Sequence, residues 1–197
     1  MEIESQKLVI GLIGRPGSGK AICAAELLKL AAASDISAEK ITFSDLLGQT
    51  LDEYGVERNR SNLQQLAIFI QERRAGGLGY RMRNIVEHSL SRLTIVDGLR
   101  WREDFEMVKS FPNAIIIYLT APQDARFARL KNRGQKPGES EMSFEDFVRS
   151  ESVATETAIE ALGKEAEVEM ANDGSVEEFA DKLDQIWKEQ IAPLLTR

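Results

Sequence analysis

The apolar positions along the chain fall into two kinds of segment. Lys7-Leu8-Val9-Ile10-Gly11-Leu12-Ile13, Leu93-Thr94-Ile95-Val96 and Ala114-Ile115-Ile116-Ile117-Tyr118-Leu119 are short and nearly continuous, without the alternation of a half-exposed strand. Such runs predict strands covered on both faces, as in a parallel sheet with crossover helices. Ile41-Thr42-Phe43 and Val168-Glu169-Met170-Ala171 are shorter candidates of the same kind, which brings the expected sheet to five strands. The segment from Ser18 to Ala33 has the length and the alanine and leucine content of a buried helix. Near the other end, Ser175 and Glu178 form a capping box. Val176, Phe179, Leu183, Ile186, Trp187 and Ile191 then recur at three- and four-residue spacing, which predicts a helix with one face on the sheet. The expected fold is α/β, with three layers around a five-stranded parallel sheet.

Two polar, mostly helical intervals interrupt this alternation. They read as insertions on one side of a single domain: residues 44–91, and a lid over residues 126–150. The core is then 1–43, 92–125 and 151–197. The glycines in Gly76-Gly77-Leu78-Gly79 and from Gly134 to Gly138 are candidate hinges for them.

Composition changes the picture mainly through where the charge sits. The 197 residues are 43% hydrophobic and 29% charged, and 25 Lys and Arg against 32 Asp and Glu give a net charge of −7. That balance argues against a nucleic-acid polymer or an anionic membrane as partner. Residues 58–83, however, carry Arg58, Arg60, Arg73, Arg74, Arg81 and Arg83 against Glu72 alone. Residues 126–136 carry Arg126, Arg129, Lys131, Arg133 and Lys136 with no acid. Arginine favours phosphate contact because its planar guanidinium binds two oxygens at once and stays charged when desolvated. A small polyanion held in a cleft is therefore the expected ligand. The single cysteine, Cys23, excludes an internal disulfide and fits a reducing compartment. No apolar stretch approaches the roughly 18 residues of a membrane span, and Met1-Glu2-Ile3-Glu4 does not begin a leader, so a cytoplasmic protein is expected.

Between the first strand and the first helix, Gly14-Arg15-Pro16-Gly17-Ser18-Gly19-Lys20 satisfies G-x-x-x-x-G-K, the Walker A pattern. Glycines let the backbone curl so that successive N–H groups face phosphate oxygens, and the helix N-terminus adds its partial positive charge. Lys20 is placed to reach the β- and γ-phosphates. The residue that follows in this pattern is Ser or Thr, whose hydroxyl ligates Mg²⁺; here it is Ala21, and then Ile22. Asp97, at the end of the third strand candidate, is expected to position Mg²⁺ through water. Asp45 follows the second strand candidate, where it either reaches the same cleft or caps the helix that begins there.

With these residues in place, the chain resembles the nucleoside monophosphate kinases of the P-loop group. Its glycine loop is similar to that of adenylate kinases, which carry Gly and then Thr where this chain has Ala21 and Ile22. Ser44-Asp45-Leu46-Leu47 resembles the start of their acceptor-site helix, with Gly48 where an arginine is expected. Asp97-Gly98-Leu99-Arg100 resembles their Asp-Gly-aromatic-Pro-Arg segment, which implies that Arg100 holds the acceptor phosphate. Over nearly the whole length the chain is also similar to small prokaryotic nucleotide-kinase-like proteins described as dephospho-CoA-kinase-like. Asn62-Leu63-Gln64, Arg126-Phe127-Ala128-Arg129-Leu130, Arg133-Gly134 and Asn172-Asp173-Gly174-Ser175 carry that likeness.

The resemblance implies transfer of the ATP γ-phosphoryl group to a small nucleotide acceptor, with ATP and Mg²⁺ as cofactors. Dephospho-CoA as acceptor, or a regulatory nucleotide-binding protein with little turnover, are the alternatives. Residues 14–22, Arg129, Asp173 and Gly174 are expected on the ATP, Asp97 and Asp45 on the metal, and Lys20, Arg100, Arg129 and Arg133 on the charge that develops during transfer. The protein is expected to be a monomer or a small homo-oligomer. Outside this set, His88 and Cys23 have packing or surface explanations, Trp101 and Trp187 belong to helix cores, and Tyr80 either stacks on an acceptor base or packs.

Overall fold

A computed structural model describes residues 7–74, 76–134, 139–152 and 154–195. Five parallel strands, β1 (Leu8–Ile13), β2 (Ala38–Thr42), β3 (Leu93–Leu99), β4 (Ala114–Thr120) and β5 (Val168–Ala171), form one sheet in the order β2-β3-β1-β4-β5. The central strand pairs with β3 from Leu8↔Leu93 and with β4 from Val9↔Ala114.

Alternate residues of β1 explain the three layers. Val9 and Ile13 point to one face, Leu8, Ile10 and Leu12 to the other, and each set is buried. The first face is covered by α2 (Phe43–Glu53), α3 (Arg60–Arg73), α4 (Gly77–His88) and α5 (Arg102–Lys109), through side chains such as Phe43, Leu63, Met82 and Phe105. The second is covered by α1 (Lys20–Ala33) through Cys23, Leu27 and Ala31, and by α10 (Val176–Ile186) with the π turn Trp187–Ile191 through Phe179, Leu183, Trp187 and Ile191. The intervening α6 (Gln123–Arg133) and α7 (Phe144–Ser150) meet in a small aromatic cluster of their own. There the Phe127 ring lies 5.3 Å from that of Phe144 and 5.6 Å from that of Phe147. Two short helices, α8 (Ala154–Thr157) and α9 (Ile159–Gly163), lead to β5, and α11 (Ala192–Leu195) ends the described chain.

Several boundaries differ from the sequence pattern for identifiable reasons. The second strand is Ala38–Thr42, and Phe43 opens a helix, because Thr42 Oγ1 accepts the Asp45 N–H at 2.9 Å and caps it. Asp45 is thus capped and is not itself the cap. The third strand passes through Asp97-Gly98 to Leu99, with a register shift against β1 at Leu12/Ile13, so Asp97 stands inside the strand and not in a terminal turn. The first helix starts at Lys20, since Gly19 is left-handed (φ 106°). The C-terminal helix changes to a π turn at Trp187, and Val176 is 60% exposed and off the buried stripe.

The candidate hinge Gly76-Gly77-Leu78-Gly79 lies mostly within α4. There Gly79 is buried, 3.6 Å (from where its Cβ would be) to the Glu103 carbonyl. Of the second hinge, residues 135–138 fall outside the described residues.

Candidate functional site

The carboxyl ends of β2 and β3 and the loop after β1 open onto one cleft of about 960 Å³, where ligands of open parallel sheets bind. Its lining brings together Pro16, Gly17, Gly19, Lys20, Ala21, Ile22, Asp45, Asp97, Arg100, Arg129 and Arg133 from separate parts of the chain.

Local backbone geometry builds the loop at its mouth. Gly17 (φ 80°) and Gly19 (φ 106°) are left-handed, and a Cβ at Gly17 would lie 2.5 Å from the Arg126 carbonyl, while one at Gly19 would overlap the Asn172 side chain. Only glycine fits a backbone that is both left-handed and this closely approached. Lys20 crosses the concave side and donates from Nζ to the carbonyls of Gly14 at 2.6 Å and Arg15 at 3.2 Å. Burial draws its pKa down to about 8, with Arg100 and Arg133 pushing the same way and Asp97 and Glu156 opposing. Those four side chains are therefore close enough to act on one ammonium.

Two buried oxygens in this neighbourhood, Ser18 Oγ and Asp97 Oδ1, have no hydrogen-bond partner among the described residues. A buried carboxylate oxygen without a donor is costly unless a cation or a donor completes it. Together with the glycine cradle, the Asp97 carboxylate suits a phosphate chain and a hydrated divalent cation.

The arginines divide into two roles. Arg129 is braced over the loop, with Nη1 to the Gly17 carbonyl at 3.4 Å and Nη2 to the Asn172 backbone and side-chain oxygens at 3.0 and 3.2 Å. Arg133 bonds Glu139 at 3.0 Å and also lines the cleft. Arg126, in the same cluster by sequence, is structural: it is buried against Glu151, the Ala121 carbonyl and the Phe147 ring. Arg15 lies beside Glu151 at 3.7 Å and does not line the cleft.

Asp173 and Gly174, expected beside the adenine, also lie outside the lining. Asp173 turns to Lys182 at 3.4 Å, and Gly174 sits against Glu178 of the helix cap. Their places are taken by neighbours, Asn172 behind the loop and Val176 on the cleft wall. Tyr80 is 65% exposed under the Arg74 guanidinium and away from the cleft, so it neither packs nor faces an acceptor. His88 is on the surface and Cys23 is buried, its thiol pushed up by burial and then by Asp97.

Two groups were not singled out from the sequence, and two more stood there only as members of a charge run and of a loop. Glu156 is 2% exposed and bonds Arg100, with Arg60 and Gln64 beside it. Asp104 is buried at the start of α5, where its Oδ2 accepts the N–H groups of Arg100 at 3.1 Å and Trp101 at 3.2 Å. Burial pushes its pKa up to about 6 in spite of those two bonds. Arg60 and Asn172 complete the set. Beyond these, Phe43, Leu47, Leu63, Ala67, Leu78 and Trp101 give the inner end of the cleft an apolar wall.

No protein-family model matches the chain. It is 27% identical over 179 residues to a UPF0200 protein of Staphylothermus marinus, covering 87% of both chains. Among solved structures it is similar to TT1252 from Thermus thermophilus, with a TM-score of 0.60 and 16% identity over 94% of this chain and 98% of the other. It is likewise similar to shikimate kinase from Bacteroides thetaiotaomicron, with a TM-score of 0.58 and 15% identity over 92% and 98%. The fold is that of the P-loop kinases, as the residue pattern led us to expect.

Proposed function

We propose that this small P-loop kinase-like chain transfers the γ-phosphoryl group of ATP to a nucleoside monophosphate or a related small nucleotide. The observation that carries the reading is the convergence on one cleft of Lys20, an Asp97 Oδ1 with no hydrogen-bond partner among the described residues, and the cleft-lining arginines. When bound, ATP supplies the phosphoryl group and Mg²⁺ neutralises its oxygens.

The chain's own residues do the rest. Lys20 gives its ammonium to the phosphate chain in exchange for the Gly14 and Arg15 carbonyls that satisfy it in this structure. Asp97 orients the hydrated metal from β3, and Asp45, exposed on the cleft at the start of α2, faces the metal or the acceptor. Arg129, Arg133 and Arg100 spread positive charge across the path of transfer, where two anionic substrates would otherwise repel. The apolar inner wall excludes water that would divert the phosphoryl group to hydrolysis. A monomer or small homo-oligomer in the cytoplasm fits this reading.

A coupled ADP-release assay over AMP, GMP, CMP, UMP and dephospho-CoA tests it. Turnover that depends on one of these acceptors is expected, and ADP release that is absent or independent of acceptor overturns the kinase reading. The case for dephospho-CoA rested on the Asn172-Asp173-Gly174-Ser175 loop, of which Asp173 and Gly174 face away from the cleft.

One observation favours a second reading, a nucleotide-binding regulator: Ala21 is exposed on the cleft where a metal-binding hydroxyl would stand. Ala21→Thr separates the two. A kinase gains turnover or Mg²⁺ affinity from it, whereas a regulator shows Mg²⁺-independent ATP binding in both forms.

A further inference from the structure

We propose that Glu156 is a positioning residue that assembles Arg60 and Arg100 into one anion-binding fork, and that this fork takes the phosphate of the acceptor. The inference rests on the kinase reading above and names the acceptor's chemical class as a phosphomonoester.

Arg60 is the first residue of α3, and its side chain is 13% exposed. Its Nε and Nη2 atoms are buried and have no hydrogen-bond partner among the described residues. Those two nitrogens form the side-on edge of a guanidinium, the edge that binds two oxygens of one oxyanion. Glu156 Oε1 lies 3.7 Å from Nη2, near enough to compensate the charge and too far to hydrogen-bond it. The other oxygen, Oε2, is bonded to Arg100 Nη1. One carboxylate from α8 therefore spans two arginines from different elements, α3 and the β3–α5 connection.

Without it the two cations would repel across the cleft; with it they stand side by side, and Arg60 keeps its bidentate edge open to a better-placed oxyanion. Burial lowers the pKa of Arg60, with the charge of Glu156 opposing. Both arginines line the cleft with Lys20 and Asp97, so an anion held by them shares one chamber with the glycine loop.

Glu156→Gln keeps the shape of the side chain and removes its charge; Arg60→Lys keeps the charge and removes the bidentate edge. With the acceptor that supports turnover, both variants are expected to raise acceptor KM at least tenfold. Changes in kcat and in ATP affinity should stay within about threefold, and the preference for a 5′-monophosphate over its nucleoside should collapse in Arg60→Lys.

A binding measurement separates this claim from the kinase reading. With the phosphate loop saturated by a non-hydrolysable ATP analogue, calorimetric titration with AMP, and with inorganic phosphate, is expected to show a site in the unaltered protein that Arg60→Lys weakens at least tenfold. If no acceptor turns over and this site behaves as described, the kinase reading fails and the fork stands. Should Glu156→Gln fail to fold, Arg60→Lys decides alone, since it leaves charge and packing in place. Anion binding and acceptor KM unchanged in Arg60→Lys would overturn the fork.

Discussion

Asn172 fastens the end of β5 to the back of the glycine loop: its Nδ2 donates to the Ser18 carbonyl at 2.9 Å, and its own N–H continues the β4–β5 pairing to the Thr120 carbonyl at 2.8 Å. Its side-chain oxygen accepts from Arg129. One amide thus holds the loop and the arginine braced over it.

Asn172→Ala removes two hydrogen bonds around a buried carbonyl, at a cost of about 1 to 2 kcal/mol. The expected result is a lower melting temperature and roughly tenfold weaker binding of an ATP analogue, read by calorimetry. Asp173→Ala, one residue on, should leave nucleotide affinity unchanged, because Asp173 faces Lys182. Equal losses from the two variants would show that the loop does not depend on this tie.

Gly19→Ala tests the same contact from the other side. An added methyl group meets a left-handed backbone and the Asn172 amide together. Strain and overlap are worth about 2 to 4 kcal/mol between them. The variant should unfold at lower denaturant than the parent, and loss of nucleotide binding should exceed that of Asn172→Ala. Pairing the two substitutions should recover part of the loss by removing the overlap, which denaturant titration of the double variant measures.

Much of this architecture was legible in the chain because its signals are local. A run such as Ala114–Leu119 must be covered on both faces, and G-x-x-x-x-G-K between a strand and a helix requires a tight glycine turn with its lysine at the helix start. The strand candidates near Ile41 and Val168 were found, although Thr42 proved to be a cap, a role set by its side chain and not by hydrophobicity. What could not be read is what depends on juxtaposition. Glu156 sits in an acidic stretch of ordinary appearance and becomes a buried partner of Arg100 only when α8 is placed against the cleft. Arg126 and Arg129 share one helix, one face and one charge run, yet the first is sequestered by Glu151 and the second reaches Asn172 and the Gly17 carbonyl, because different partners from other parts of the chain stand opposite each. Asn172-Asp173-Gly174-Ser175 carries the resemblance, yet Asp173 and Gly174 lie off the cleft, while Asn172 ties the loop from behind and Val176 lines the wall.

Asp104 gives a pH dependence of stability with a definite sign. Its pKa is about 6 in the folded chain against a usual value of 3.8, so the folded state holds this proton more tightly than the unfolded one. Stability from this group is complete below pH 4, falls as the pH rises through 6, and is level above. At about 1.4 kcal/mol for each pH unit between the two values, the charged form costs up to about 3 kcal/mol. An asparagine at this position still offers an oxygen to the Arg100 and Trp101 N–H groups. Asp104→Asn should therefore stabilise the protein at pH 8 and have little effect at pH 4, as urea unfolding at the two pH values would show. Destabilisation of equal size at both would mean that the carboxylate charge is not the unfavourable element.

Lys20 sets a second pH dependence, in nucleotide affinity. Its pKa of about 8 in the free protein is low for a lysine, because burial and then Arg100 disfavour the charge. A bound polyphosphate favours that charge, so binding takes up a proton wherever the free lysine has lost its own. Affinity for an ATP analogue should be level below about pH 8 and fall above it, reaching about tenfold weaker at pH 9, by the proton-linkage relation. Lys20→Arg should abolish the slope over this range, since a guanidinium does not titrate there. Asp97 is one of the two carboxylates holding the lysine pKa up. Asp97→Asn should consequently move the break in the curve to lower pH, in addition to weakening the Mg²⁺ dependence of binding. Fluorescence titration of the three proteins from pH 6.5 to 9.5 measures this. A curve that stays level to pH 9.5 in the parent protein would show that Lys20 is not the group that meets the phosphates.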